Sequence, residues 1–134
     1  ADGASVHPAG GGELLPRVRS EVLEMIDDYY VLELDGNVVG TVAVHDRGED
    51  AELACLFIKR THENLGHGRQ LVGFAEQVAG ARGAARIFAL STQAERFFVA
   101  LGYRETPLDE LPAERSAKLL ESRRNSKLLV KSLA

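Results

Sequence analysis

Two glycines and a histidine, Gly66-His67-Gly68, stand between an apolar run and a helix-like run, where backbone N–H groups can gather around an anion. Glycine permits the backbone conformations that turn these groups toward a ligand, and a helix N-terminus adds positive potential. Leu71 occupies the position of the third glycine in a dinucleotide-binding loop, and Arg69-Gln70 stands where a Walker loop has its lysine. The segment therefore predicts either a phosphate-binding loop of another kind or a simple tight turn.

A basic segment runs from Arg115 to Lys131, where six Lys or Arg residues and one acid, Glu121, give a charge of +5. Because the whole chain carries −4, the remainder carries −9. A chain this acidic lacks the broad basic face that binds nucleic acid through many phosphates, so no nucleic-acid partner is expected. The basic segment is either a solvated helix or a site for a small anion.

Other residue types narrow the chemistry. Cys55 is the single cysteine, so no internal disulfide can form and a reducing, cytoplasmic location is expected. The four histidines are not spaced as zinc ligands, so no metal site is expected. No apolar run approaches the roughly 20 residues that span a bilayer, so no membrane partner is expected. We interpret Cys55 as a small packing residue, because no histidine or acid is placed by sequence to activate it as a nucleophile.

The elements that position these residues follow an α/β order with one mixed sheet. The 134 residues, 45% hydrophobic and 27% charged, fit a single globular domain. Alternating patterns predict strands, helical spacing of apolar residues predicts helices, and Asp35-Gly36-Asn37 predicts a hairpin turn. The predicted elements in chain order are a short helix capped by Ser20, strands Tyr29–Leu34 and Val38–His45, a polar loop Asp46–Asp50, a strand Ala51–Ile58, a helix from the glycine loop to about Gly80 or Arg82, a strand Arg86–Leu90, a helix Ala94–Leu101 ended by Gly102, a helix Pro112–Ser122 and a strand Asn125–Leu133.

With these elements in place, the chain resembles the GNAT superfamily of N-acetyltransferases. Gly66-His67-Gly68 stands where that family has its Q/R-x-x-G-x-G/A pyrophosphate loop, and Arg96–Tyr103 is similar to its aromatic helix ending in leucine-glycine-aromatic. The resemblance, from about Ser20 to Leu133, implies an α/β (α+β) fold whose mixed, mostly antiparallel sheet is flanked by helices. It assigns residues 13–134 to the domain and leaves 1–12 as a linker or flexible segment, in which the family's first strand has no clear counterpart.

Within the superfamily, the chain resembles the acetyltransferase domains of the N-acetylglutamate synthase family. This resemblance implies transfer of the acetyl group from acetyl-CoA, the cosubstrate, to the α-amine of L-glutamate, the opening step of arginine biosynthesis. Members of that family often carry an amino-acid-kinase-like domain, so attachment to such a domain and homo-oligomer formation both stay open. Four separated motifs carry the resemblance: Glu52-Leu53-Ala54-Cys55, Phe88-Ala89-Leu90-Ser91-Thr92, Asp109-Glu110-Leu111-Pro112 and Arg123-Arg124-Asn125-Ser126-Lys127-Leu128-Leu129-Val130.

The resemblance also implies residue roles. Glu52 is the expected base that takes the amine proton, and Ser91 is expected to assist the leaving thiolate with a hydrogen bond. From the residues alone, Glu52 could equally be an exposed strand-end carboxylate, and Ser91 a strand-end hydrogen-bonding residue. Backbone N–H groups of Cys55–Phe57, where strands of this family bulge, are expected to stabilise the oxyanion. The acyl-CoA contacts are expected at Leu56, Phe57, Ile58, Asn64, Gly66, His67, Gly68 and Arg69.

The acceptor is expected to meet the basic segment, because arginine suits bidentate binding of the two carboxylates of glutamate. The resemblance places Arg124 and Ser126 on glutamate, with Arg115 as a further contact. A third arginine near the N-terminus is either Arg17 or Arg19. Neighbouring basic side chains, Arg123 and Lys127, are expected to face solvent.

Two positions depart from the family pattern. Glu63 occupies the Q/R position of the pyrophosphate loop, and Phe98 stands where many members have a tyrosine acid. Glu63 and the missing counterpart of the first strand keep a non-catalytic acyl-CoA-binding regulatory domain open, and N-acetylation of another small amine is a second alternative.

Overall fold

In a computed structural model of the chain, the structure describes residues 4–9, 26–110 and 126–133. The elements of these residues are β1 (Ala4–Pro8), β2 (Tyr29–Leu34), β3 (Asn37–Arg47), β4 (Asp50–Ile58), α1 (His67–Ala81), β5 (Arg86–Ser91), α2 (Glu95–Ala100), β6 (Arg104–Thr106) and β7 (Lys127–Ser132), with short 3-10 turns at Ile26–Asp28, Arg60–His62 and Leu108–Glu110.

The seven described strands form one sheet in the order β1-β2-β3-β4-β5-β7-β6, with β4 and β5 parallel. The β1–β2, β2–β3, β5–β7 and β6–β7 pairs are antiparallel. The predicted mixed, mostly antiparallel sheet with helices is therefore confirmed.

The chain divides into two compact units. The first unit contains residues 1–44 and 55–75, and the second contains residues 45–54 and 76–134. Each is described by itself below. None of the helices described is long and apolar enough to cross a membrane.

The first unit is built around the predicted hairpin. Asp35 (φ 52°) and Gly36 (φ 82°) adopt left-handed backbone conformations, which the tight turn between β2 and β3 requires. Gly40 on β3 permits close packing, because a Cβ there would lie 2.9 Å from Ile58 Cδ1 and 3.0 Å from both Leu71 Cδ1 and the Phe57 carbonyl oxygen. The buried side chains of this unit are apolar and include Val31, Leu32, Val39, Val42, Leu71 and Val72.

The interpretation of residues 1–12 as a linker is wrong for Ala4–Pro8. These residues form β1, paired with β2 from Ala4 opposite Leu34 to Pro8 opposite Tyr30. A short run of small residues ending in proline carries little strand signal of its own. Here the edge of β2 supplies the pairing, and proline is tolerated because β1 is itself an edge strand.

The second unit centres on β5, whose apolar middle is buried as its sequence predicts. Asp50–Leu53 of β4 pair with Arg86–Ala89 in parallel, and β7 pairs along the other edge of β5. Helix α2 ends as predicted at Gly102 (φ 97°), and the Tyr103 N–H donates to the Phe98 carbonyl at 3.0 Å.

Two sequence predictions in this unit are wrong. The polar loop predicted at Asp46–Asp50 is instead a two-residue turn, Gly48-Glu49. Gly48 adopts φ 73°, which allows the tight turn, so β3 extends to Arg47 and β4 begins at Asp50. The three-residue strand β6 was also missed, since its polar sequence shows no alternation and the pairing with β7 alone creates it.

The sequence predictions that fall on the helix capped by Ser20 and on the helix Pro112–Ser122 lie outside the described residues.

Candidate active site

The glycine loop of the first unit ends in a helix N-terminus. Gly66 (φ 87°) precedes α1, and the Gln70 N–H donates to the Gly66 carbonyl at 3.1 Å. The N–H groups of His67, Gly68 and Arg69 therefore precede the first intrahelical bond, so no helical carbonyl is available to them. A Cβ built at Gly66 would meet no atom within 4 Å, so the loop faces open space. This arrangement suits a bound anion.

The two glycines of the loop have different conformations. Gly66 takes the left-handed backbone that favours glycine, and Asn64 before it takes φ 63°. Gly68 lies inside the first turn of α1. The loop is therefore more than a tight turn, because its left-handed residues lead directly into a 15-residue helix.

The side chains around this loop are polar and largely exposed. Glu63, at the Q/R position of the family pattern, is exposed, and its N–H donates to the Arg60 carbonyl at 3.3 Å. The rings of His62 and His67 lie 6.3 Å apart between centroids. The exposed carboxylate of Glu63 thus stays in solvent, where its repulsion toward a bound anion is screened.

Strand β4 is irregular at Cys55, where the bulge is expected. Cys55 has φ 53°, a left-handed conformation rare for any residue other than glycine. Its carbonyl accepts a hydrogen bond of 3.0 Å from Thr41 Oγ1, and its Sγ lies 3.1 Å from the Tyr29 hydroxyl. Burial, together with the hydrogen bond to Cys55, raises the pKa of Tyr29, so the phenol stays protonated at neutral pH. The interpretation of Cys55 as a packing residue is wrong, because its side chain is exposed.

The residues that follow Cys55 present apolar surface. Phe57 is 59% exposed, whereas Leu56 and Ile58 are half-buried. Leu65, in the loop before α1, is 64% exposed. Large apolar side chains left in solvent are typical of binding surfaces.

In the second unit, Glu52 is a buried carboxylate. Its residue is 2% exposed, and Arg47 Nε donates to Glu52 Oε1 at 3.0 Å. The alternative of an exposed strand-end carboxylate is therefore wrong. Sequence reasoning missed Arg47, and the signal that could have found it is its position five residues before Glu52, across a glycine turn that brings β3 and β4 back together.

Glu52 lies near the end of the β4–β5 ladder. Glu52 is opposite Phe88, and the pairing extends to Leu53 opposite Ala89. Beyond this point β5 continues to Ser91. A carboxylate is one of the groups that can serve as a general base.

Ser91 lies two residues past the end of that ladder. It is 9% exposed, and its Oγ accepts a hydrogen bond of 2.7 Å from the Ala94 N–H. Since the hydroxyl acts as an acceptor there, its own hydrogen is left to donate. The Ser91 hydroxyl can therefore accept the hydrogen bond at the end of the strand and also donate one to another group.

Phe98, at the position of the family's tyrosine acid, is a core residue. It is 4% exposed, and its ring lies 5.2 Å from the ring of Tyr103. The Tyr103 hydroxyl donates to Glu76 Oε2 at 2.9 Å, and burial with the nearby Glu76 charge raises its pKa. Lys131 Nζ completes this cluster with hydrogen bonds to Glu76 Oε1 and Oε2 at 3.1 and 3.2 Å.

Among the residues expected to bind the acceptor, Ser126 lies in the part of the chain that the structure describes. Its residue is 5% exposed, and its Oγ has no hydrogen-bond partner. Next to it, Lys127 is exposed as expected and pairs with Glu95 at 2.6 Å. Arg115, Arg124, Arg123, Arg17 and Arg19 lie outside the described residues.

The expected residues thus fall into two groups. The expected acyl-CoA contacts, Leu56–Ile58 and Asn64–Arg69, belong to the first unit, and Glu52, Ser91 and Ser126 belong to the second. Within the described ranges, no group of three or more His, Cys, Asp or Glu residues could hold a metal ion.

Comparison with known proteins identifies the family. A sequence model of the Acetyltransferase (GNAT) family matches residues 10–103. The chain is 34% identical, over 91% of its length, to an amino-acid acetyltransferase of Neisseria meningitidis serogroup A, and 33% identical over 96% to one of Aeromonas salmonicida. It spans 28% and 30% of the length of these two relatives.

A solved structure gives the same result. N-acetylglutamate synthase from Neisseria gonorrhoeae, complexed with coenzyme A and N-acetyl-glutamate, superposes with a TM-score of 0.89 at 28% identity. The match covers 98% of this chain and 35% of that one. The family model, which matches well over half of the chain, shows that this chain belongs to the GNAT acetyltransferase family.

Proposed function

We propose that this chain transfers the acetyl group of acetyl-CoA to the α-amine of L-glutamate. The observation that carries the proposal is Glu52, a buried carboxylate paired with Arg47 beside the end of the β4–β5 ladder. Family membership supports acetyl transfer. The relatives named as amino-acid acetyltransferases, and the synthase structure with N-acetyl-glutamate bound, support an amino-acid acceptor.

The first unit would hold acetyl-CoA. The N–H groups of His67, Gly68 and Arg69 would bind the pyrophosphate, with Gly66 and Asn64 shaping the loop. Open space at Gly66 and the exposed rings and alkyl groups of Phe57 and Leu65 fit a ligand with a charged group and an apolar arm. Leu56, Phe57 and Ile58 would line that arm, and backbone N–H groups of Cys55–Phe57 would stabilise the oxyanion.

The second unit would carry the proton transfers. Glu52 takes a proton from the α-ammonium of the acceptor, directly or through a water, so that the nitrogen lone pair can attack the thioester carbonyl. A C–N bond forms, the C–S bond breaks, and the thiolate keeps the electron pair. The attacking nitrogen then loses its second proton, which the thiolate or water takes up. Ser91 stabilises this thiolate with a hydrogen bond, which suffices because a thiol with a pKa of about 8.5 leaves readily.

The two side chains can act on one substrate although they lie on opposite faces of the sheet. Glu52 is opposite Phe88, so it shares a face with Phe88 and with Leu90 two residues further on. Ser91 follows Leu90 and pairs with Lys127, so its side chain lies on the other face. The substrate would therefore bind past Leu53 and Ala89, where the β4–β5 pairing ends. The acceptor carboxylates would bind Arg124 and Ser126, with Arg115 as a further ligand, as the resemblance implies. The product would feed arginine biosynthesis.

The experiment follows thiol release from acetyl-CoA by the 134-residue chain with L-glutamate, L-glutamine, L-aspartate and a polyamine. Release with L-glutamate well above the hydrolysis background is the expected result. Release with another amine alone would overturn the acceptor and leave acetyl transfer. If no amine reacts while acetyl-CoA raises the melting temperature, the chain is an acyl-CoA-binding regulatory domain instead.

A further inference from the structure

One residue of the first unit, Cys55, has a backbone conformation that its residue type disfavours. Among the residues described, those other than glycine with a positive φ are Asp35, Cys55 and Asn64. Asp35 and Asn64 lie in turns, and their short polar side chains suit the left-handed conformation. Cys55 has no such side chain and lies inside β4. Strained residues of this kind persist where neighbouring groups hold them, and they are frequent at active sites.

Two side chains from neighbouring strands hold Cys55. Thr41 Oγ1, on β3, donates to the Cys55 carbonyl oxygen at 3.0 Å. The Tyr29 hydroxyl, on β2, lies 3.1 Å from Cys55 Sγ. One contact fixes the main chain of Cys55 and the other fixes its side chain. Together they account for a left-handed cysteine within a strand.

The strand register places both hydroxyls on one face of the sheet. Tyr29 is opposite Ala43, and Val31 is opposite Thr41. Directly paired residues share a face, and so do residues two apart along a strand. Tyr29 and Thr41 therefore approach Cys55 from the same face. All of these residues belong to the first unit.

The hydrogen bond from Thr41 also determines where the next N–H group points. The Cys55 carbonyl and the Leu56 N–H belong to one peptide group, which is planar and trans. In a trans peptide the carbonyl and the N–H point in opposite directions. Fixing the Cys55 carbonyl toward Thr41 therefore fixes the Leu56 N–H on the side away from Thr41. Leu56 lies in the Cys55–Phe57 stretch proposed to stabilise the oxyanion.

The stability of the fold gives little reason for this hydrogen bond. Cys55 is exposed and Thr41 is half-buried, so water can reach the Cys55 carbonyl. An exposed carbonyl that loses a protein donor gains one from water, and the net effect on the free energy of unfolding is small. Water, however, does not hold a peptide group in one orientation. What Thr41 adds beyond water is a fixed direction.

We propose that Thr41 is a positioning residue for acetyl transfer, because its hydrogen bond to the Cys55 carbonyl aims the Leu56 N–H at the oxyanion. The inference rests on the proposed function and adds to it the residue that orients the oxyanion donor. Tyr29 supports the same conformation through the Cys55 side chain. Without Thr41, Cys55 can return to an extended conformation, which rotates the Leu56 N–H away from the thioester.

The test replaces Thr41 with valine, which has nearly the same shape but no hydroxyl. Thr41→Val should lower the kcat for acetyl transfer about 3- to 10-fold, the change in population that one hydrogen bond supports. The Kd for acetyl-CoA, measured by calorimetry, should stay within twofold. Thr41→Ser should restore most of the kcat. Thr61→Val removes an exposed hydroxyl 2.9 Å from His62 Nδ1 and should leave the kcat within twofold, as the matched control.

A second pair of variants separates positioning from structural support. Glycine adopts the left-handed conformation without a steric penalty, so Cys55→Gly reduces the need for Thr41. In the Cys55→Gly background, Thr41→Val should therefore change the kcat less than twofold. If Thr41 only supported the fold, Thr41→Val would lower the kcat equally in both backgrounds.

Three results would overturn the inference. The first is a kcat of Thr41→Val within twofold of the wild type. The second is a fall in kcat matched by an equal rise in the Kd for acetyl-CoA, and the third is an equal fall in the Cys55→Gly background. Wild-type turnover tests the proposed function separately. If no amine reacts with the wild type, both proposals fail, whereas wild-type turnover with an unchanged Thr41→Val variant removes only this one.

Discussion

The two units build their candidate sites from different parts of the chain. In the first unit the candidate anion-binding loop consists of backbone, with left-handed residues at Asn64 and Gly66 leading to the N–H groups of the first turn of α1. In the second unit the candidate groups are side chains: the carboxylate of Glu52 and the hydroxyls of Ser91 and Ser126. A site built from backbone groups would tolerate changes of side chain, such as Glu63 at the family's Q/R position. A site made of side chains does not tolerate such changes, because a single residue supplies each functional group.

The largest effect is expected from Glu52→Gln, which removes the base without changing its shape. The turnover number should fall about 10²- to 10⁴-fold, the usual contribution of general acid–base catalysis. Binding of acetyl-CoA, measured by the rise in melting temperature, should remain. Glu105→Gln, at an exposed glutamate of β6, is the control and should keep wild-type turnover. If Glu52→Gln weakened acetyl-CoA binding as much as it lowered turnover, the two units would not have the separate roles proposed for them.

Gly66→Ala tests whether the first site depends on backbone conformation. A Cβ at Gly66 meets no atom within 4 Å, so any effect comes from the left-handed conformation, worth about 1–2 kcal/mol. The loop can relieve this strain by leaving the binding conformation, so the Kd for acetyl-CoA, measured by calorimetry, should rise about 5- to 30-fold. Gly73→Ala, also in open space but inside α1, should leave the Kd unchanged and stabilise the fold by about 0.5–1 kcal/mol. Equal Kd values for the two variants would contradict the backbone explanation.

Ser91→Ala separates the two roles of that hydroxyl. The Ala94 N–H loses its acceptor, which should destabilise the fold by about 1 kcal/mol in chemical denaturation. The turnover number should also fall about 10-fold, since the leaving thiolate loses one hydrogen bond. Ser91→Thr should retain turnover. A loss of stability with unchanged turnover would assign Ser91 to structure alone.

The smallest effect is expected from Glu63→Arg, which restores a basic residue at the family's Q/R position. Because Glu63 is exposed, the Kd for acetyl-CoA should fall only about two- to threefold, and the gain should shrink as salt is raised. Glu49→Arg makes the same charge change at an exposed turn of the second unit and should leave the Kd unchanged. A tenfold gain at Glu63 would mean that side chains, and not the backbone alone, control this site.

Much of the fold could be predicted from local patterns. The strands Tyr29–Leu34 and Ala51–Ile58, the Asp35-Gly36 turn and the Gly102 helix end all appear within one residue of their predicted places. Each depends on signals close together in sequence. Ala4–Pro8 and Arg104–Thr106 could not be predicted in this way, because these short strands exist only through pairing with β2 and β7.

The sequence by itself determined the order of the elements from β2 to α2, the candidate residues and the resemblance that the family match later confirmed. Only the tertiary structure decided that Glu52 is buried against Arg47, that Cys55 is exposed beside Tyr29, and that Ser126 is buried with an unpaired hydroxyl. The physical reason is that burial and pairing depend on strand register. Register is set between segments distant in the chain, and residue types alone do not encode it.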